Sequence, residues 1–244
     1  MKDANKLEET LNADLITVSG WFRDNLLTLN GSKCKFVLFG SAQKLKTIRD
    51  LSIYADNHTI ECAKSFKYLG VTVQQNMSWT EHVDKVCTKI NQRLGILRRI
   101  KHLLPIHARV TLYNSLICPL FDYADFVWGD KNNSSLMSHL QTLQNKAAKL
   151  ILDVPVYSSA THALSQLSWN TLQLRRVYHR VVLTYKYLNG HIDYHQLNVQ
   201  YNKDVHSHNT RRSNNIRLPL AHRNWGKQTL LYTLAEYWNS LPSQ

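Results

Sequence analysis

Two aspartates sit in strings with the look of a metal site. Tyr54-Ala55-Asp56-Asn57 and Tyr123-Ala124-Asp125-Phe126 each place an acid after a Tyr-Ala pair. Paired carboxylates at such a turn can hold two divalent ions, which activate a hydroxyl and stabilise a departing pyrophosphate. Each string supplies one acid where that chemistry needs two, and no isolated apolar strand bearing a partner aspartate precedes either. Asp56-Asn57 therefore reads as a hairpin turn, and Asp125 as part of a loop or helix end beside Trp128. Among the 12 His, the pairs His191/His195 and His206/His208 have metal-compatible spacing. No Cys or acidic cluster accompanies them, and structural zinc takes four ligands, so they read as solvated loop histidines. No nucleophile-elbow glycines surround a serine. The 8 Gly are scattered singly and build no phosphate loop.

Basic residues offer a clearer chemistry. From His82 to Arg109 there are seven Lys/Arg and one acid, Asp84. At 100° per residue, Lys85, Lys89, Gln92 and Arg99 share one side of a helix. Arg93 borders that side, and Arg98 and Lys101 carry charge around the last turn. Such a helix can lie along a phosphate backbone without reading bases; the competing reading is a solvated helix face. Arg175-Arg176 and Arg211-Arg212 would equally well pair with carboxylates or remain exposed.

The whole chain is basic too: 30 Lys+Arg against 17 Asp+Glu in 244 residues, a formal net charge of +13. That surplus favours polyanionic partners, nucleic acid first and an anionic membrane surface second. A hydrophobic fraction of 43% with 12 Tyr and 6 Trp supplies a packed core and argues against disorder. Cys34, Cys62, Cys87 and Cys118 are far apart in sequence and read as free thiols. The polar N-terminus has no apolar signal core, and no uncharged apolar run approaches the roughly 18 residues of a membrane span. The expectation is a soluble intracellular protein, in the nucleus or cytoplasm.

The elements that would position these residues follow from periodicity. Leu7, Leu11, Leu15, Val18, Phe22 and Leu26 predict an amphipathic helix over 5–27, ended by Asn30-Gly31-Ser32. Strands are expected at 34–39, 59–62 and 67–73, paired antiparallel except that the first two could run parallel. Helices follow at 80–102 (with Thr80 as cap), 105–118, 135–152 (capped by Asn133 or Ser134), 159–167 and 171–189. Val83, Val86, Cys87, Ile90, Leu94 and Leu97 form the apolar face of the first. Residues 191–227 read as a long loop with one short strand near 215–218, and 229–240 as a last helix. The fold class is α+β, mainly α.

Several strings, in this order, resemble the reverse transcriptases of non-LTR retrotransposons, the jockey-like group especially. They are Trp21, Asn25-Leu26, Leu29-Asn30 and Lys33; Phe66-Lys67-Tyr68-Leu69-Gly70-Val71 ahead of Trp79 and His82; Leu112-Tyr113-Asn114-Ser115-Leu116-Ile117 with Pro119, Tyr123 and Trp128-Gly129; Leu140 to Ala147; and Trp238-Asn239-Ser240-Leu241-Pro242. Each is weak alone, and their order carries the resemblance.

The resemblance implies a palm remnant with a primer-grip hairpin over 1–78, a helical thumb-like domain over 79–190, and a C-terminal loop and helix over 191–244. It implies that Lys33 approaches the phosphates of an incoming nucleotide, that Lys67, Tyr68 and Gly70 form the primer grip, and that Lys85, Lys89, Arg93 and Arg99 face a template–primer duplex of RNA or RNA–DNA. In that family the paired-aspartate turn precedes the Leu-Asn-Lys segment, whereas Tyr54 follows it here. The expectation is a chain that begins past the catalytic aspartates, inactive alone, with Mg²⁺ needed only by an intact polymerase. The alternatives are a non-enzymatic nucleic-acid-binding protein co-opted from the element, or a non-functional remnant of it.

Overall fold

A computed structural model of the chain describes residues 4–48, 50–56, 58–129, 133–193, 197–205, 210–222 and 224–242. The fold is α+β with helix predominating, and it divides into two compact units, 1–82 and 83–244.

The first unit opens with α1 (Ala4–Asp24). Its Leu11 and Leu15 pack on a small core of Ile53, Ala55 and Ile60. Full burial of a side chain such as Ile53 contributes about 1.5–3 kcal/mol. The expected apolar face holds only in its middle. Val18 is exposed, and Leu26 lies beyond the helix end at φ 55 with 94% of its surface open. A sheet of three short strands is too small to cover more of the helix. Asn12 fixes the contact: its Nδ2 donates to Ser52 O (2.9 Å), and its Oδ1 accepts from Tyr54 N (2.9 Å).

Those strands are β1 (Lys35–Phe36), β2 (Ile53–Ala55) and β3 (His58–Cys62), in the order β1-β3-β2. β1 runs parallel to β3, with Lys35 opposite Glu61, and β2 runs antiparallel, with Ile53 opposite Ile60. The parallel pair is reached through α2 (Ala42–Thr47), capped by Ser41, and through β2. Neither α2 nor β2 is evident from periodicity. β1 is two residues long rather than the six expected, because only Lys35 and Phe36 find ladder partners. The expected single strand at 67–73 is instead a hairpin, β4 (Ser65–Tyr68) and β5 (Val71–Gln74), with Tyr68 opposite Val71. Its turn residues Leu69 (φ 45) and Gly70 (φ 86) are both left-handed, the requirement of the tight turn that matches strand twist.

α3 (Thr80–Ile100) follows. Thr80 is its first residue rather than its cap; the Gln74 side-chain oxygen accepts from Glu81 N at 3.0 Å. In the second unit Val83, Val86, Ile90, Leu94 and Leu97 of α3 are buried, as their spacing requires. The helical run after Pro105 comprises α4 (Ile106–Leu112), a π-helical turn (Tyr113–Ile117) and α5 (Cys118–Asp122). Then come α6 (Asp125–Trp128), α7 (Ser134–Leu152), α8 (Ala160–Gln166) and α9 (Leu172–Leu188). Asn133, Ser159 and Thr171 cap the last three by accepting from a backbone N–H three residues on.

Beyond α9 the chain is largely irregular. It contains α10 (Asn202–Val205), α11 (Asn224–Lys227) and α12 (Leu230–Asn239), which packs along α9. The strand expected near 215–218 is reduced to one bridge, Tyr201 to Ile216. Asn239 bonds both backbone groups of Ile216, at 2.9 and 2.8 Å.

Candidate nucleic-acid interface

Charge in the second unit collects where α3 meets α7. A groove of about 610 Å³ between them is lined by Arg98 and Lys101 from the α3 side and by Lys146 and Lys149 from α7. A second hollow of about 490 Å³ shares Asn91, Thr142 and Lys146 with it and extends along the same seam toward Asp84. Asp153, the acid of the groove, is bound to Lys101, which holds its carboxyl below the usual range. Lys149 donates to Val156 O at 2.6 Å.

α3 holds its predicted residues as a helix wheel demands. Lys85, Lys89 and Arg99 are exposed on one side, next to the arc that faces the groove. Arg93 departs from the expected face. Its guanidinium donates to Leu116 O in the π-helical turn and so ties α3 to that run. Sequence reasoning gave Arg98 and Lys101 a secondary place and missed Lys146 and Lys149. The signal for the last two was their three-residue spacing on α7, which aligns them on one helix face.

The predicted residues of the first unit stand on separate elements. Lys33 is exposed at the end of a 3-10 turn (Gly31–Lys33). Lys67, Tyr68 and Gly70 lie at the exposed tip of the β4–β5 hairpin. A plain structural hairpin would bury its Tyr and Leu, yet Tyr68 is 64% and Leu69 is 73% exposed. Gly70 has a backbone reason to be glycine, its φ of 86. Below the tip, Thr72 N–H donates to Nδ1 of the buried His82 at 3.2 Å.

Neither aspartate string fits a two-metal site. Asp56 stands in the turn after β2, at φ 46, 3.5 Å from Arg23; Asn57 lies outside the described residues. Asp125 begins α6, fully buried, with Oδ2 3.0 Å from His179 Nδ1. Among the described residues no three His, Cys, Asp or Glu side chains gather into a metal-holding group. His195, His206 and His208 lie outside those residues.

The motifs around residues 112–147 do structural work. Tyr113 is buried and stacks on Trp169 at 4.0 Å, its hydroxyl pKa raised chiefly by burial. Gln141 accepts from Leu172 N (2.9 Å), and Gln144 donates to Asn170 O (3.0 Å), which together fix where α9 starts. Trp128 is buried, with its indole N–H on Tyr123 O.

The chain is 25% identical over 69% of its length to a probable RNA-directed DNA polymerase from transposon BS of Drosophila melanogaster. It is 26% identical over 54% of its length to the corresponding protein from transposon X-element of the same fly. The chain is a relative of non-LTR transposon reverse transcriptases. The matched stretches span 19% and 14% of those two proteins, so the likeness is to a fragment of each. No protein-family model and no solved structure matches the chain. No described helix is long and apolar enough to cross a membrane.

Proposed function

We propose that this chain is the duplex-gripping part of a jockey-like, non-LTR RNA-directed DNA polymerase. In this reading it binds an RNA or RNA–DNA template–primer through α3 and α7 and does not polymerise with these 244 residues alone. The observation that carries the reading is the α3–α7 seam, where Arg98, Lys101, Lys146 and Lys149 line one groove beside the exposed Lys85, Lys89 and Arg99. Such an array binds by releasing counterions from phosphates and needs no base contact. The β4–β5 hairpin serves as the primer grip, with Tyr68 available to lie against a sugar or base, and the helical unit serves as the thumb. Lys33 takes the position that in such enzymes neighbours the incoming nucleotide's phosphates. Asp56 and Asp125, held by Arg23 and His179, carry no step in this scheme.

Fluorescence anisotropy with an RNA–DNA hybrid, titrated across salt, tests the proposal. The expected result is affinity falling steeply with salt, with each phosphate contact adding about 0.9 to the log–log slope on B-form DNA and a comparable amount on the hybrid. Removing Arg98, Lys146 and Lys149 together should flatten that slope. Affinity that ignores salt, or a slope that survives the triple change, refutes it.

A further inference from the structure

Two neighbouring arginines of α9 are held differently, and the difference marks a second site. Arg175 lays its Nε and Nη2 on the two oxygens of Asp122, at 2.7 and 2.6 Å. Arg176 has the same edge of its guanidinium buried with no hydrogen-bond partner among the described residues, while Nη1 points at the Met137 sulfur, 2.7 Å away. A thioether is a weak acceptor. The side chain is only 7% exposed. Burial pulls its pKa down to about 10; Asp125 opposes that fall and Arg180 adds to it. Asp125 and, more weakly, Asp122 draw on the Arg176 charge from a distance, while Asp122 is bound to Arg175 and Asp125 to His179.

Arg176 lines a pocket of about 300 Å³ with Arg180, Ser134, Ser138, Thr171 and Tyr237. The first turns of two long helices open on the same space: Ser134 begins α7, and Leu172 begins α9. Helix N-termini carry partial positive charge and favour anions. The Thr171 hydroxyl already accepts from Leu174 N, which leaves its proton to donate. A Cβ on Gly129 would stand 2.5 Å from the Asp125 backbone oxygen and 2.9 Å from Arg176 Nε, so the chain packs here with no side chain beside the guanidinium.

We propose that this pocket binds a phosphate group. Arg176 turns from Met137 and lays its Nε–Nη2 edge on two phosphate oxygens, as Arg175 does on Asp122. Arg180, the pocket hydroxyls and the two helix ends meet the remaining charge. The phosphate comes either free in solution or as the 5′ end of a nucleic acid. The site shares no residue with the α3–α7 seam.

Calorimetric titration of the full chain with inorganic phosphate, at constant ionic strength set with chloride, is expected to show one site. Arg176→Gln should abolish it. Ser138→Glu, an exposed change at the mouth, should weaken it roughly 10-fold or more, and it carries the test if Arg176→Gln fails to fold. The variant Lys85→Gln/Lys89→Gln/Arg99→Gln should leave phosphate binding intact while weakening duplex binding, so the two readings fail separately. A 5′-phosphorylated oligonucleotide that binds more tightly than its 5′-hydroxyl twin, with the preference lost in Arg176→Gln, assigns the nucleic-acid end. Equal affinity of the two oligonucleotides, with phosphate bound, assigns free phosphate. Absence of phosphate binding, or binding that survives both Arg176→Gln and Ser138→Glu, overturns the proposal.

Discussion

The seam between α3 and α7 and the cluster around Asp125 hold positive charge in opposite ways. Lys85, Lys89, Arg98 and Arg99 stand in water. Their charge costs little to keep, acts at long range and is screened by salt. Arg176 and Arg180 are 7% and 4% exposed and rest against Trp128 and Phe126, with guanidinium carbons 5.2 and 5.7 Å from the ring centres. Their charge is costly to desolvate, so it must be met locally by geometry. The first arrangement suits a ligand with many equivalent phosphates. The second serves the fold and leaves one edge unmet.

Breaking the buried cluster should have the largest effect. Asp125→Asn keeps the shape and removes the buried carboxylate that pairs with His179 and offsets the charge of Arg176. It is expected to cost about 3–5 kcal/mol in denaturant unfolding. A loss below about 1 kcal/mol would mean that the cluster is not held by charge.

Asp122→Asn should cost less, about 1–2 kcal/mol, because the Arg175–Asp122 pair is partly open to water. Equal losses for the two variants would erase the distinction between fully and partly buried charge.

A smaller effect concerns Cys118. Burial first, and then Asp122, raise its thiol from 9.0 to about 11. A raised acid stabilises the fold fully below pH 9.0, and that contribution is lost as the pH climbs through about 11. Wild type should therefore lose stability faster than Cys118→Ala over that window. The exposed Cys62 should be alkylated well before Cys118 at neutral pH; the reverse order would place the Cys118 thiol in solvent.

The smallest stability change is expected where function should change most. Lys85→Gln/Lys89→Gln/Arg99→Gln should shift unfolding by no more than about 0.5 kcal/mol while lowering affinity for the hybrid duplex. A large loss of stability would show these side chains packed rather than presented.

Much of the helical unit was readable because period and cap agree. Asn133, Ser159 and Thr171 each precede an apolar repeat and do cap it. The β region was not, for local reasons. At 67–73 the turn holds Leu69 where Asn or Gly would have signalled it, so the apolar run looked continuous. β2 is three residues long, too short for a period.

The candidate interface was half readable. Helical phase places Lys85, Lys89 and Arg99 together, but whether Arg93 joins them depends on a carbonyl at Leu116, 23 residues away. The Arg175-Arg176 dipeptide hid a difference between its members. Only the stripe Leu172, Arg176, Arg180 and Thr184, at four-residue steps, marks which arginine turns inward.

Asn12 and Asn239 each grip both polar groups of a peptide edge, one side-chain amide standing in for a missing strand. That makes chemical ageing matter at two points of the chain. Deamidation to aspartate keeps the accepting oxygen, deletes the donor and adds a charge, so half of each clasp would be lost. Asn12 lies inside α1, where the helix keeps the next backbone nitrogen from attacking the side chain. Asn239 is the last residue of α12. Of the two clasps, the one at the carboxy-terminal end is the one that storage would wear out first.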